Sequence, residues 1–255
     1  MATEPHHVEI LEEEITQLQQ MGQHAVLLDA EQTRQRVDSP TYLASIYEPD
    51  VALVEPARLA WGLREACLRR GVRIHERTPV RDIASDANGV RLRCRDAVIA
   101  AKQVVLATNA YRPLLKRLRL MTVPVYDYAL MTEPLTTEQR AAIGWLGREG
   151  ISDTANQFHY YRTTRDGRIL WGGYDAIYHY GSAMRPDLEQ RPATFELLAD
   201  QFFATFPQLE GLNFTHAWGG VIDTCTRFTA FYGTAMRGRV GYALGFTGLG
   251  VGATR

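Results

Sequence analysis

The 255-residue sequence contains no apolar run approaching the roughly 18–20 residues needed to cross a bilayer. Its start, Met1-Ala-Thr-Glu-Pro-His-His7, has neither the basic segment nor the apolar stretch of a secretory signal. Cysteine is scarce. Cys67, Cys94 and Cys225 are odd in number, widely spaced and outside any metal-ligand pattern, which excludes a disulfide framework and a cysteine-based zinc site. Cys67 falls in a helical pattern and Cys94 in a strand pattern, so both are expected in the core. An excess of charge of one sign is also missing. Lys and Arg number 28 against 29 Asp and Glu, a net charge of −1 that gives nucleic acid or an anionic membrane nothing to hold. There are no internal repeats and no low-complexity tract, and no Ser/His/Asp, Cys/His or metal spacing stands out. The expected protein is soluble and cytoplasmic, with a small-molecule partner.

What is present is ordinary globular material: 45% hydrophobic and 22% charged residues, enough to build one large domain or two smaller ones. Glu9 to Met21 has apolar residues at helical spacing. Ala25 to Asp29 reads as a short strand and Ala30 to Val37 as a short helix. Leu43–Tyr47 and Val51–Val54 look like paired strands across Glu48-Pro-Asp50. Pro56 suits the first position of a helix running to Arg70 and stopped by Gly71, with Leu59, Leu63, Ala66, Cys67 and Arg70 on one face. That helix should feed a strand at Val72–Ile74. Strand-like runs follow at Val80–Ala84, Val90–Cys94 and Ala97–Ala100, and then Lys102–Tyr111, a buried β run ending in small polar residues. Arg112–Leu120 reads as a basic helical turn.

From Met121 the texture becomes aromatic and alternating, at Met121–Thr132, Gln157–Thr163, Arg168–Gly172, Phe214–Ile222 and Phe228–Gly233. Helices at Thr136–Ile143 and Arg191–Phe206 interrupt it. Residues 121–132, 157–172 and 214–222 are expected to share one antiparallel sheet with helices on one side, facing the glycine-rich end.

That end, Gly241-Tyr-Ala-Leu-Gly-Phe-Thr-Gly-Leu-Gly-Val-Gly-Ala-Thr-Arg255, joins a short apolar strand, Val240–Leu244, to four glycines from Gly245 to Gly252. Glycine lets a backbone approach a planar or anionic ligand closely and take positive φ without strain. Val104-Val-Leu-Ala-Thr-Asn109 is a second apolar run ending in small polar residues. Ligands of open α/β sheets sit at the carboxyl ends of strands, so these two segments should lie side by side at one crevice. Thr78-Pro-Val80 is a third candidate segment.

Carried by Val54-Glu-Pro-Ala-Arg-Leu59, Thr78-Pro-Val80, Val104 to Tyr111, Trp218-Gly-Gly220 and Gly245 to Arg255, the sequence resembles the FAD-dependent amine and D-amino acid oxidoreductases. This group contains the glycine and sarcosine oxidases, and the closest likeness is to its γ-glutamylputrescine-oxidase-like members. The resemblance implies an α+β or α/β fold, with a partial Rossmann-like FAD-binding domain interleaved with a mixed antiparallel-sheet substrate domain. Residues 51–117 and 235–255 would form the cofactor part, 118–234 the substrate domain, and 1–50 a helical segment on the substrate side.

Cofactor contacts are implied for Val80 on the adenine side and for Ala107, Thr108 and Asn109 near the pyrophosphate. Thr247, Gly248, Leu249, Gly250, Val251 and Gly252 would present their backbone to the flavin ring. The activity implied is oxidation of a primary or secondary amine or amino acid to an imine, by hydride transfer to the flavin, with molecular oxygen or another acceptor as the oxidant. One departure stands out: no Gly-x-Gly-x-x-Gly turn for a pyrophosphate occurs in the 255 residues. The chain is therefore expected to be truncated and to bind FAD weakly or not at all. The other reading is a cofactor-free fragment that serves only as a fold remnant or assembly piece.

Amine oxidation needs a walled pocket with few polar anchors. His159 and Tyr161 alternate onto one strand face and are candidates to line it, as is Trp218, which shares a face with His216. Equally, the segment around His159 is ordinary aromatic packing. Asp175, after Trp171-Gly-Gly-Tyr, is a carboxylate able to take a substrate ammonium, with a plain turn as the alternative. Asp223 lies five residues beyond Trp218 and either joins these residues or forms a loop ion pair with Arg227.

Overall fold

Residues 1–253 are described by the computed structural model; Thr254 and Arg255, the end of the glycine-rich stretch, lie outside the described residues. The chain opens with α1 (Pro5–Gln20), β1 (Val26–Asp29), α2 (Ala30–Arg36), β2 (Ala44–Tyr47) and α3 (Pro56–Arg69). Four short strands follow: β3 (Asp82–Ser85), β4 (Val90–Arg93), β5 (Val98–Ala101) and β6 (Val104–Leu106). Next come β7 (Val123–Thr132), α4 (Thr137–Ile143), β8 (Gly150–Ser152), β9 (His159–Thr163), β10 (Ile169–Gly173) and α5 (Pro192–Thr205). The chain ends with β11 (Phe214–Thr224), β12 (Phe231–Ala235), β13 (Val240–Leu244) and α6 (Gly250–Ala253). The fold is α+β, with its strands in four separate sheets.

Contacts divide the chain into two units. One comprises Met1–Leu53, Tyr126–Ile177 and Arg185–Gly220; the other comprises Val54–Val125, Tyr178–Met184 and Val221–Arg255.

In the first unit, β1 pairs antiparallel with β2, Leu27 opposite Ile46. The expected partner of β2, Val51–Val54, is exposed coil instead, because β1 already occupies that edge and the Glu48-Pro-Asp50 turn does not fold the chain back. Pro5 sits at the first helical position, so α1 starts four residues before the Glu9 read from periodicity. Asp29 and Gln32 form a reciprocal cap at the start of α2, and Thr136 and Gln139 do the same for α4.

The larger sheet of this unit runs β11-β7-β10-β9-β8, so the three aromatic segments share one sheet as their alternation predicts. β10 pairs antiparallel with both β7 and β9, placing Trp171 opposite Leu130 and Tyr161. Helix α5 packs its Thr194, Leu198 and Phe202 side inward. Trp171, 1% exposed, meets Tyr161 at 4.4 Å and Phe202 at 5.5 Å between ring centroids.

The second unit holds the antiparallel sheet β3-β4-β5 and the sheet β12-β13-β6. β13 and β6 run parallel, Val240 beside Val104 and Tyr242 beside Leu106, and bring the two apolar runs together as expected. Ile83, Val90, Val104, Leu106, Leu118, Val240 and Leu244 form its core.

Four expectations fail here. Val72–Ile74 is exposed coil, since no neighbouring strand among the described residues pairs with it. Helix α3 forms where Pro56 and Gly71 place it but buries no residue, so the face of Leu59, Leu63 and Cys67 is open to solvent. Cys67 is accordingly exposed, whereas Cys94 is buried as expected. Of the Lys102–Tyr111 run only Val104–Leu106 is strand. No helix of the described residues is long and apolar enough to cross a membrane.

Candidate functional site

The parallel strands β6 and β13 end side by side, and both chains leave the sheet in backbone conformations that few residues tolerate. Asn109, three residues past β6, has φ 50°, and its Oδ1 accepts the Ala110 N–H at 2.8 Å. Past β13, Gly245, Thr247 and Gly248 have φ of 73°, 50° and 82°. This loop is stapled to β11. The Asp223 Oδ2 accepts the Gly245 N–H at 2.6 Å, the Asp223 carbonyl accepts the Thr247 N–H at 3.2 Å, and Thr247 Oγ1 accepts the Cys225 N–H at 3.2 Å.

A cavity of about 720 Å³ lies at these strand ends. Ala107 and Asn109 line it from one segment, and Gly248, Gly250 and Val251 from the other, so the structure brings together the two segments nominated from sequence. Thr108, Thr247, Leu249 and Gly252 belong to the same segments without lining the cavity, and Val80, two residues before β3, is not at its wall. The remaining wall is Val221, Ile222 and Asp223 of β11, Tyr232 of β12, Ala243 of β13, Phe246, and Ala253 of α6. Apart from Asp223, these were not nominated from sequence. The signal for Asp223 was present but pointed elsewhere: it forms no ion pair with Arg227 among the described residues, and is 2% exposed with its carboxylate on the glycine loop.

His159 and Tyr161 do share a strand face, and it is the packed one. The His159 ring lies between Trp171, at 4.7 Å, and Tyr174, at 5.3 Å. Its Nδ1 is 2.6 Å from Asp153 Oδ2 and its Nε2 is 2.9 Å from Gln201 Oε1, so both ring nitrogens are engaged. The Tyr161 hydroxyl sits 2.6 Å from that of Tyr42, and burial followed by the neighbouring Tyr42 pushes it well above an ordinary phenol. Trp218, on β11, is 38% exposed and belongs to neither group. Asp175 is taken: its Oδ2 accepts from Arg191 at 3.0 Å and from Thr194 at 2.6 Å. A further cavity of about 710 Å³ in the first unit, lined by Glu14, Glu48, Glu149 and Asp153 among others, includes none of the residues nominated from sequence.

On the other face of β9, the Tyr160 hydroxyl donates to Asp127 Oδ2 at 2.6 Å. Burial raises the Asp127 carboxyl above its ordinary value, against the Tyr160 O–H and Tyr128 N–H that favour the ionised form. A folded-state pKa above the unfolded one means the native state holds that proton better. The resulting stability is fully present below the ordinary carboxylate range and is lost as pH rises through the raised value. Asp127→Asn, neutral throughout and still an acceptor for Tyr160, should therefore melt above the parent at about pH 7 and lose that advantage by about pH 3. Melting curves of both proteins across this range check it; a pH-independent difference would contradict the assignment.

Comparison with known proteins is consistent across the chain. The family model described as "FAD dependent oxidoreductase" matches residues 1–254. Gamma-glutamylputrescine oxidoreductase of Escherichia coli is 28% identical over 232 residues, covering 89% of this chain and 51% of that protein. A probable oxidoreductase, OrdL, of Haemophilus influenzae is 26% identical, covering 91% of this chain and 52% of its own length. The chain thus spans about half the length of the curated relatives it matches. Among solved structures, glycine oxidase from Geobacillus kaustophilus superposes with a TM-score of 0.82 at 19% identity, over 99% of this chain and 66% of that one. L-proline dehydrogenase from P. horikoshii gives 0.80 at 17% identity.

The two segments that converge here fit a flavin on two observations. Thr108 Oγ1, two residues past β6, is buried with no hydrogen-bond partner. At Gly248 and Gly252 an added Cβ would meet nothing within 4 Å, so the loop backbone lies open.

Proposed function

The chain belongs to the FAD-dependent oxidoreductase family, and we propose that it serves the oxidation of a carbon–nitrogen bond in a primary or secondary amine or an amino acid. The single observation behind this reading is the convergence of Ala107–Asn109 and Gly248–Val251 on one cavity at the carboxyl ends of β6 and β13. The substrate class follows from what the relatives are called: a γ-glutamylputrescine oxidoreductase, a glycine oxidase and a proline dehydrogenase each act on a nitrogen-bearing carbon. Bound FAD supplies a two-electron acceptor, with molecular oxygen or another acceptor completing the turnover. The chain's own part is to bind and orient. The stapled loop offers backbone to the ring, Thr108 Oγ1 offers a hydroxyl without a partner, and Ile222, Tyr232 and Phe246 form an apolar wall.

The glycine loop addresses the ring, whereas no Gly-x-Gly-x-x-Gly turn is present for the pyrophosphate. FAD and riboflavin should therefore bind within about threefold of each other, because charge-assisted bonds to phosphate, at roughly 1.5–3 kcal/mol each, are what would separate them. Titrating each into the chain while following flavin fluorescence measures this. FAD binding orders of magnitude tighter than riboflavin would show a pyrophosphate site outside this account. No saturable change with either would favour the cofactor-free reading.

A further inference from the structure

Among the described residues, the carboxylate of Asp223 is left without a cation. It is 2% exposed, and a carboxylate removed from water this far is ordinarily neutralised by a basic partner or a metal. Its one side-chain hydrogen bond is from the Gly245 N–H at 2.6 Å, and among the described residues no Lys, Arg or His nitrogen lies within ion-pair distance of it. Other enclosed carboxylates in the protein are already engaged: Asp175 by Arg191 and Thr194, Asp153 by His159, Asp127 by Tyr160. Asp153 also lines a cavity but has His159 beside it, whereas Asp223 lines one of about 720 Å³, within the range that takes small molecules, with no such partner among the described residues. Beside it in the wall are Ile222, Tyr232 and Phe246, the two rings edge to face with centroids 6.2 Å apart.

We propose that Asp223 receives the cationic nitrogen of the substrate in this cavity, with the alkyl portion lying against Ile222, Tyr232 and Phe246. An aliphatic amine is an ammonium at neutral pH, with a pKa of roughly 10.4 for the lysine side chain as reference. A buried carboxylate binds such a group through short charge-assisted hydrogen bonds, and the aromatic faces favour the same charge. The assignment rests on the amine-oxidising reading above and narrows it. It selects substrates that carry a cationic nitrogen with an apolar chain attached, and it moves the ammonium anchor from Asp175, which Arg191 already neutralises, to Asp223.

The plain alternative is that Asp223 only pins the glycine loop. Asp223→Asn separates the two, because an amide oxygen can still accept the Gly245 N–H while the charge is gone. The probes are n-butylammonium and n-butanol, nearly equal in shape, titrated separately into the flavin-free 255-residue chain while the amide resonances of Phe246 and Gly248 are followed. Butylammonium should bind the parent at least about tenfold more tightly than butanol, and Asp223→Asn should lose that preference while keeping its butanol affinity. Asp175→Asn should change neither. Equal binding of the two probes to the parent overturns the proposal even if the Asp223 variant fails to fold, and so does an unchanged butylammonium affinity in a folded Asp223→Asn. The flavin titration reports on the cofactor and this one on the carboxylate, so each can fail alone.

Discussion

Trp171→Ala is expected to cost the first unit about 3–5 kcal/mol, the range for emptying a large aromatic site in a packed core. The residue sits at the middle of β10, hydrogen-bonded on both sides to β7 and β9. It is 1% exposed, and its ring touches those of His159, Tyr161, Phe202 and Phe206. These neighbours come from a strand and from α5 with its following turn, so none can collapse into the gap without breaking its own contacts. His159 would lose one of the two rings that flank it, and Tyr161 would gain space around a hydroxyl held by Tyr42. Amide exchange within β9 and β10 should accelerate by two orders of magnitude or more, since each 1.4 kcal/mol is about a factor of ten. Trp61→Ala provides the contrast. That ring is 64% exposed on α3, and its loss should fall within about 0.5 kcal/mol, as for surface substitutions. Equal effects from the two tryptophans would mean the aromatic cluster does not hold this unit together.

How much of this was legible in the sequence depends on how local each cause is. Alternating aromatic segments gave β7, β9 and β10, because a period of two is set residue by residue and does not depend on what the strand meets. The same alternation put His159 and Tyr161 on one face but could not say that this face is the packed one. That is decided by Tyr42, 119 residues away, and by α5. The pairing of β6 with β13 was readable since two short apolar runs each ended in small residues, a pattern that fits few places in a sheet. Asp223 could be named, but its placement was not readable. Its neighbours Thr224, Thr226 and Arg227 look like loop, yet β11 runs on through Thr224 and the carboxylate meets an N–H 22 residues later. Helix α3 shows the converse: its caps are local and correct, while the burial of its apolar face needs a packing partner that the described residues do not supply.

Gly245→Val should abolish flavin-ring binding and destabilise the second unit, because that position is closed to a side chain in two independent ways. Its φ of 73° is left-handed, where a β-branched residue is strained and a non-glycine pays roughly 1–2 kcal/mol before any contact is counted. An added Cβ would also stand 2.7 Å from the Phe231 ring and 3.0 Å from Cys225 Sγ, both packed at the base of the loop. Relief requires the chain to swing away, which pulls the Gly245 N–H off Asp223 and carries the Thr247 staple with it. The cavity wall formed by Phe246, Gly248 and Gly250 would then lose its geometry. Gly248→Ala isolates the strain alone: φ is 82° there, but a Cβ meets nothing within 4 Å, so only about 1–2 kcal/mol of backbone cost is expected and the cavity should survive. Thermal unfolding and riboflavin titration on both variants, beside the parent, give the comparison. If Gly245→Val bound riboflavin as the parent does, the loop from Gly245 to Val251 would not be the surface that meets the ring.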